Sequence, residues 1–259
     1  MTEMDIELNH EEKPRRIRWD WLLPVFLRPK RTLTEVVAQE HGVWLVPLLV
    51  LSILVILNVV AGASARRAAV MEAQSGELPY GFEYWTPEEQ EQYFSALARS
   101  ASPVNLYVFP ILGGVAGIWI TWFLLGSILH LSLTLAGSRS SNAGALNLTA
   151  WASMPIAIRL IVQAIAVLAS GHVIQSAGLS GFAPAEAPFW SAVLKLVDIY
   201  LIWQFVLLLI GVLPLSGLSR RKAWVATLIA FLIVLTLRAL PAFISAKLSG
   251  LSTGGFFYF

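Results

Sequence analysis

The chain has 259 residues, of which 57% are hydrophobic and only 13% charged, with a formal net charge of +2 and no cysteine. Several apolar runs of helical length in so weakly charged a chain exclude an ordinary soluble domain, because about 20 apolar residues at about 1.5 Å each cross a bilayer core. The missing cysteines exclude disulfide frameworks and thiolate metal sites, and the small basic excess belongs to membrane flanks rather than to a nucleic-acid surface.

Residues 1–43 start polar and become amphipathic. The "ELNHEEKPRRIRWDW" stretch leads into "LLPVFLRPKRTLTEVVAQEHG". Trp19, Trp21, Phe26 and Leu27 mix with Arg28, Lys30 and Arg31, a pattern that suits an amphipathic helix at a membrane interface. The plainer alternative is a short helix with Leu33, Val36 and Val37 tucked against a bundle. A first span is predicted over about 44–63. The "AGASARRAAV" behind it resembles a cleavage site, but the polar region before it is too long for a signal peptide, so an uncleaved helix is expected.

A hydrophilic loop, 64–103, follows. Within it Thr86, Pro87 and Glu89 spell a helix start with a capping box, and Tyr93, Phe94 and Leu97 form one apolar stripe. The second span lies within 104–137, the third over about 148–170, the fourth over 188–215 and the fifth over 223–246. These readings give an all-α, polytopic, multi-pass protein: a cytoplasmic N-terminal segment, a five-helix transmembrane domain over 44–246, and an extracytoplasmic tail over 247–259 whose "GGFFYF" is an interfacial anchor. Orientation follows from Lys and Arg near the span ends. With the N-terminus inside, eleven such residues lie inside and four outside, so N-in, C-out is expected, in the cell (inner, cytoplasmic) membrane.

Three segments resemble the Yip domain family, the Ypt/Rab-interacting-protein-like membrane proteins. They are "FLRPKRTLTEVV" with Pro29, Thr32 and Leu33; "NLTAWASMPIAIRLIV" with Trp151, Ser153 and Pro155; and "VDIYLIWQFVLLLIGVLPLSGLSRRKAW" with Asp198, Trp203, Gly211, Lys222 and Ala223. Their order and spacing carry the resemblance, over roughly residues 22–245. The resemblance implies a five-helix membrane fold with a cytoplasmic N-terminus. It also implies links to Rab-type GTPases in the eukaryotic branch and to ABC exporters in bacterial ones. The chain lacks the "DLYGP" signature of the eukaryotic branch, which points to a bacterial member.

Four charged residues fall inside predicted spans: Arg159, Lys195, Asp198 and Arg238. By residue count, Arg159, Asp198 and Arg238 share one layer in the outer half of the membrane. Lys195 and Asp198, three apart, would share a helix face and can pair, or the lysine can snorkel outward. A carboxylate at this depth costs about 2.5–3.5 kcal/mol unless paired, so Asp198 is expected to face the bundle and find Arg159, Arg238 or Lys195. The cluster reads as a buried ion pair fixing helix register, as a lipid-headgroup site, or as a transport relay. Gly113 and Gly117 form a GxxxG, expected to pack helices within the chain. Arg28, Lys30 and Arg31 with Arg220, Arg221 and Lys222 form a basic inner collar, which the positive-inside rule alone explains, with docking of anionic lipid as the sharper alternative. His130 is expected to be a satisfied interface histidine, since no metal spacing accompanies it, and no hydrolase or nucleotide motif appears.

The expected function is therefore a non-catalytic membrane scaffold or accessory subunit without metal or cofactor. Its partners would be membrane lipids and a second membrane protein such as an ABC-type exporter. A small transporter or lipid-handling protein using the charge cluster is the alternative, and a GTPase or vesicle-traffic receptor a second one.

Overall fold

The computed structural model describes residues 17–75, 78–172, 178–183 and 188–252, and the side chains of these except 73–75 and 245–252. The polar start of the chain and the "GGFFYF" anchor lie outside the described residues. Every regular element among the described residues is helical. Eleven α-helices follow in order: α1 (Pro24–Leu27), α2 (Pro29–Val37), α3 (Leu45–Ala61), α4 (Ala63–Ser75), α5 (Pro87–Ser100), α6 (Phe109–Leu135), α7 (Asn142–Ala152), α8 (Pro155–Ser170), α9 (Pro188–Leu194), α10 (Ile199–Ser216) and α11 (Arg220–Ser252).

Four stretches are each long and apolar enough to cross a membrane: Val104–Leu135, Asn142–Ser170, Ile199–Ser216 and Arg220–Ile244. A fifth crossing is available if α3 and α4 act together, as a pair bent by about 40°. The chain is thus a polytopic all-α membrane protein. The predicted loop after the first span begins as helix. Past the bend at Gly62, Arg66 folds back on α3 and donates through Nη2 to the carbonyls of Val59 and Leu106. Further along, the Thr86 capping box is formed in both directions, with Glu89 N donating to Thr86 Oγ1 at 3.3 Å and Thr86 N donating to Glu89 Oε2 at 2.8 Å.

The core centres on α7, which lies against α2, α6 and α10. The N-terminal segment is part of that core. Trp21, Val25, Leu33, Val36 and Val43 are all buried within it, at about 1.5–3 kcal/mol per fully buried aliphatic side chain. Trp21 meets Trp151 edge-on at 5.5 Å, and Phe26 meets Trp203 at 5.6 Å. The Val37 carbonyl lies beside Gly144, next to Leu215. So α1 and α2 run alongside α10 from Trp203 towards Leu215. The opposite face of the segment keeps Trp19, Leu23 and Leu27 exposed. Arg18 sits over the Trp21 ring at 3.8 Å. Its guanidinium is held above the ordinary arginine value, chiefly by the hydrogen bond to Asp20, against the opposing effect of burial.

The linker into α3 is stitched to α7 by side chains. Asn147, fully buried, accepts from Val43 N at 2.9 Å and donates to the His41 carbonyl at 2.9 Å. Trp151 Nε1 donates to the Val43 carbonyl at 3.0 Å. Asn147→Leu strands a backbone N–H and a carbonyl, each worth about 1–3 kcal/mol when buried without a partner. The expected outcome is faster amide exchange across residues 38–44 while α8 exchange is unchanged; equal protection in the variant would refute the stitching.

Candidate functional site

The fourth predicted span is broken where its two charges lie. α9 stops at Leu194, and α10 begins at Ile199 with Asp198 as its N-cap. Asp198 takes an extended backbone, φ −144° and ψ −179°. The freed carbonyls are met from a neighbouring loop, because Leu179 N donates to Leu194 O at 2.9 Å and Val197 O at 3.0 Å. Gly178 makes that approach feasible. Its φ is +60°, and a Cβ there would lie 2.7 Å from the carbonyl oxygens of both Leu194 and Val197, so glycine fits where other residues would not.

This corrects the expected pairing of Lys195 with Asp198. No helix joins them, and Lys195 is exposed in the turn after α9. The carboxylate of Asp198 is used otherwise. Oδ1 accepts from Leu201 N at 2.9 Å, a cap that satisfies one of the four unpaired donors of a helix start. Oδ2 pairs with Arg159 Nε at 3.0 Å, and the two side chains are only 16% and 18% exposed. Arg238, on α11, lies within electrostatic reach of both. The structure therefore brings Arg159, Asp198 and Arg238 together and leaves Lys195 out. One guanidinium pairs with the carboxylate and a second lies within electrostatic reach, a net charge of +1 from these three.

Arg238 also borders a small pocket of about 10 Å³ with Thr121 and Gln204, near the least room one water needs. Gln204 is 2% exposed. Its Nε2 donates to Ser153 Oγ at 2.8 Å, Ser153 Oγ donates to Thr149 O at 2.7 Å, and Gln204 Oε1 has no partner. Gln204 escaped the sequence reading because it carries no charge. The signal available was a lone amide inside "YLIWQFVLLLI", which a membrane span holds only where it can face protein. His130 departs from expectation in a smaller way, since its Nδ1 is buried without a hydrogen-bond partner.

The glycines sort differently from the motif. A Cβ at Gly113 or Gly117 would meet nothing within 4 Å, so the GxxxG packs against no helix among the described residues. The close contacts belong to Gly114 against Val55, Gly126 against Leu146 and Gly211 against Leu148. The motif fixed the spacing but not the face, because helix rotation is set by which neighbours pack. The basic residues are also divided. Arg28, Lys30 and Arg31 are exposed on the N-terminal segment, where Arg31 pairs with Glu35 at 3.0 Å. Arg220 lies 5.1 Å over the Trp224 ring at the start of α11, followed by exposed Arg221 and Lys222.

These features sit within a stretch that matches the Yip1 domain over residues 23–240. The chain belongs to the Yip1 domain family. The matched region of this Yip1-domain protein contains α1 and α2, the ion pair and Gly211 alike. A curated relative is the membrane protein YknW of Bacillus subtilis (strain 168), 27% identical over 123 residues, which is 47% of this chain and 51% of that protein. The match thus spans about half the length of that relative. No solved structure matches the Yip1-domain chain significantly.

Proposed function

We propose that the chain is a non-catalytic membrane scaffold or accessory subunit, seating a second membrane protein, with an ABC-type exporter as the partner class that the family resemblance implies. The observation that carries this reading is the open face of α6. Gly113, Ala116 and Gly117 lie there between Leu112 and Ile120, with Gly113, Ala116 and both flanking residues exposed and Gly117 half-buried, and no described residue covers either glycine. Small residues spaced four apart let another helix approach closely, and in lipid such packing is a main source of helix association. Two of the polar groups inside the bundle are occupied with holding helices: Asp198 caps and pairs, and Ser153 both donates and accepts. In this reading the N-terminus is cytoplasmic and the membrane is the cell membrane, on the Lys and Arg asymmetry.

The test is affinity purification in mild detergent of the wild type and of Gly113→Leu/Gly117→Leu. The leucines project into open space, so the variant's own unfolding midpoint is expected to stay put while the co-purified membrane partner is lost at least tenfold. A wild type that brings down no reproducible partner, or a double variant that retains it, refutes the reading. One observation favours a second reading, a small transporter or lipid-handling protein: Arg238 borders a small pocket beside an unpartnered Gln204 acceptor. Flux or lipid transfer unchanged by Arg238→Met would remove it.

A further inference from the structure

Arg221 and Lys222 open a groove between the end of α6 and the start of α11. It has a volume of about 710 Å³ and is walled by Leu135, Val225 and Ile229, with Ser132 at its side. That size is in the range of small-molecule sites. The walls are apolar and open to the outside, with Leu135 81%, Val225 50% and Ile229 49% exposed. Arg220 is engaged with Trp224, whereas neither Arg221 nor Lys222 takes part in a salt bridge among the described residues. The groove lies where the apolar stretch Val104–Leu135 ends and Arg220–Ile244 begins, an arrangement that suits cations at a membrane–water boundary with Val225 and Ile229 one and two turns further in. Ser138 Oγ donates to Ser216 O at 2.8 Å, which ties the loop carrying Arg139 to the same end of the bundle.

We propose that this groove binds one anionic phospholipid, its phosphate held by Arg221 and Lys222 and an acyl chain laid along Leu135, Val225 and Ile229. The charge complementarity is specific. Two cations without a carboxylate face the headgroup layer, and basic pockets between spanning helices hold anionic headgroups by this means. The apolar walls add what a diffuse basic patch lacks, a place for the chain. The site concerns lipid alone and stands whether or not a protein partner exists.

The experiment is native mass spectrometry of the purified full chain titrated with phosphatidylglycerol or phosphatidylcholine of matched acyl chains. Two cations near an anionic headgroup predict roughly a thirtyfold preference for phosphatidylglycerol. Arg221→Gln/Lys222→Gln is expected to bring the two lipids within about threefold of each other. Val225→Trp fills the groove with both cations intact and is expected to reduce phosphatidylglycerol occupancy about tenfold. Arg28→Gln/Lys30→Gln, which removes cations elsewhere, should keep the preference. All these positions are exposed, and unchanged unfolding of the lipid-free variants checks their fold. Equal binding of the two lipids overturns the proposal. So does a Val225→Trp variant that binds as the wild type does, which would mean diffuse surface attraction. Competition by millimolar inorganic phosphate would indicate a free-anion site, and a lipid-free dimer broken by Val225→Trp would indicate a second copy in the groove; either also overturns it.

Discussion

Asp198→Ala is expected to be among the most damaging single substitutions in the bundle, lowering stability by about 4 kcal/mol or more. Two losses add. The α10 start loses its cap, worth about 1 kcal/mol, and Arg159 is left as a charge without its counter-ion, which costs about 3–5 kcal/mol in a buried pair. Side-chain exposures of 18% and 16% place the pair in that regime. Asp198→Asn separates the two effects, because asparagine caps as well as aspartate but carries no charge; it should lose about 3 kcal/mol. Combining it with Arg159→Met removes the stranded charge, and the double variant is expected to recover most of that loss. Reversible unfolding in mixed micelles, followed by tryptophan fluorescence, reads all three. An Asp198→Asn variant as stable as the wild type would show that the ion pair does not hold the bundle.

Gly211→Ala is expected to cost about 3 kcal/mol, at the upper end for adding one methyl to a packed core. The added Cβ would lie 2.2 Å from Leu148 Cδ1. Leu148 is itself fully buried, so it cannot swing clear, and α7 and α10 must part. Leu148→Ala alone costs about 2–5 kcal/mol through its cavity. The Gly211→Ala/Leu148→Ala pair should be clearly more stable than the sum of its members, the sign of a shared contact. Gly113→Ala and Gly117→Ala form the control. With open space above them they should cost nothing, and alanine's better helix propensity should even help. Equal damage at Gly211 and Gly117 would contradict the packing described.

What the sequence revealed and what it withheld follow from one distinction. Local chemistry was legible: the apolar runs announced the spans, and Thr86 with Glu89 announced the start of α5. Asp198 stood out as a residue that must find a cation. Its partner was narrowed to three residues, and the structure selects Arg159. The error was to run a helix through it. Aspartate ahead of an apolar run is also a capping signal, and reading it so would have separated Lys195 from the cluster. The amphipathic character of 19–37 was visible too. Whether its apolar face would meet lipid or protein was not, since that depends on α7 and α10, more than a hundred residues away. The same holds for the glycines. Spacing identifies a small-residue stripe, but only packing shows that Gly211 is filled and Gly117 is bare.

Because α1 and α2 pack along α10, the order of synthesis matters for how the protein is made. Val36 leaves the ribosome about 170 residues before Leu207. At about 5–20 residues per second that is a wait of roughly 9–34 s. During this interval Trp21, Val25, Leu33 and Val36 have no α10 to pack against, and α7 itself appears only after most of the delay. The segment must be parked, and its exposed Trp19, Leu23 and Leu27 beside Arg28 and Lys30 suit temporary adsorption to the bilayer surface. The amphipathic pattern thus suits two successive surroundings: a membrane surface during synthesis, and the helix bundle once α10 has arrived.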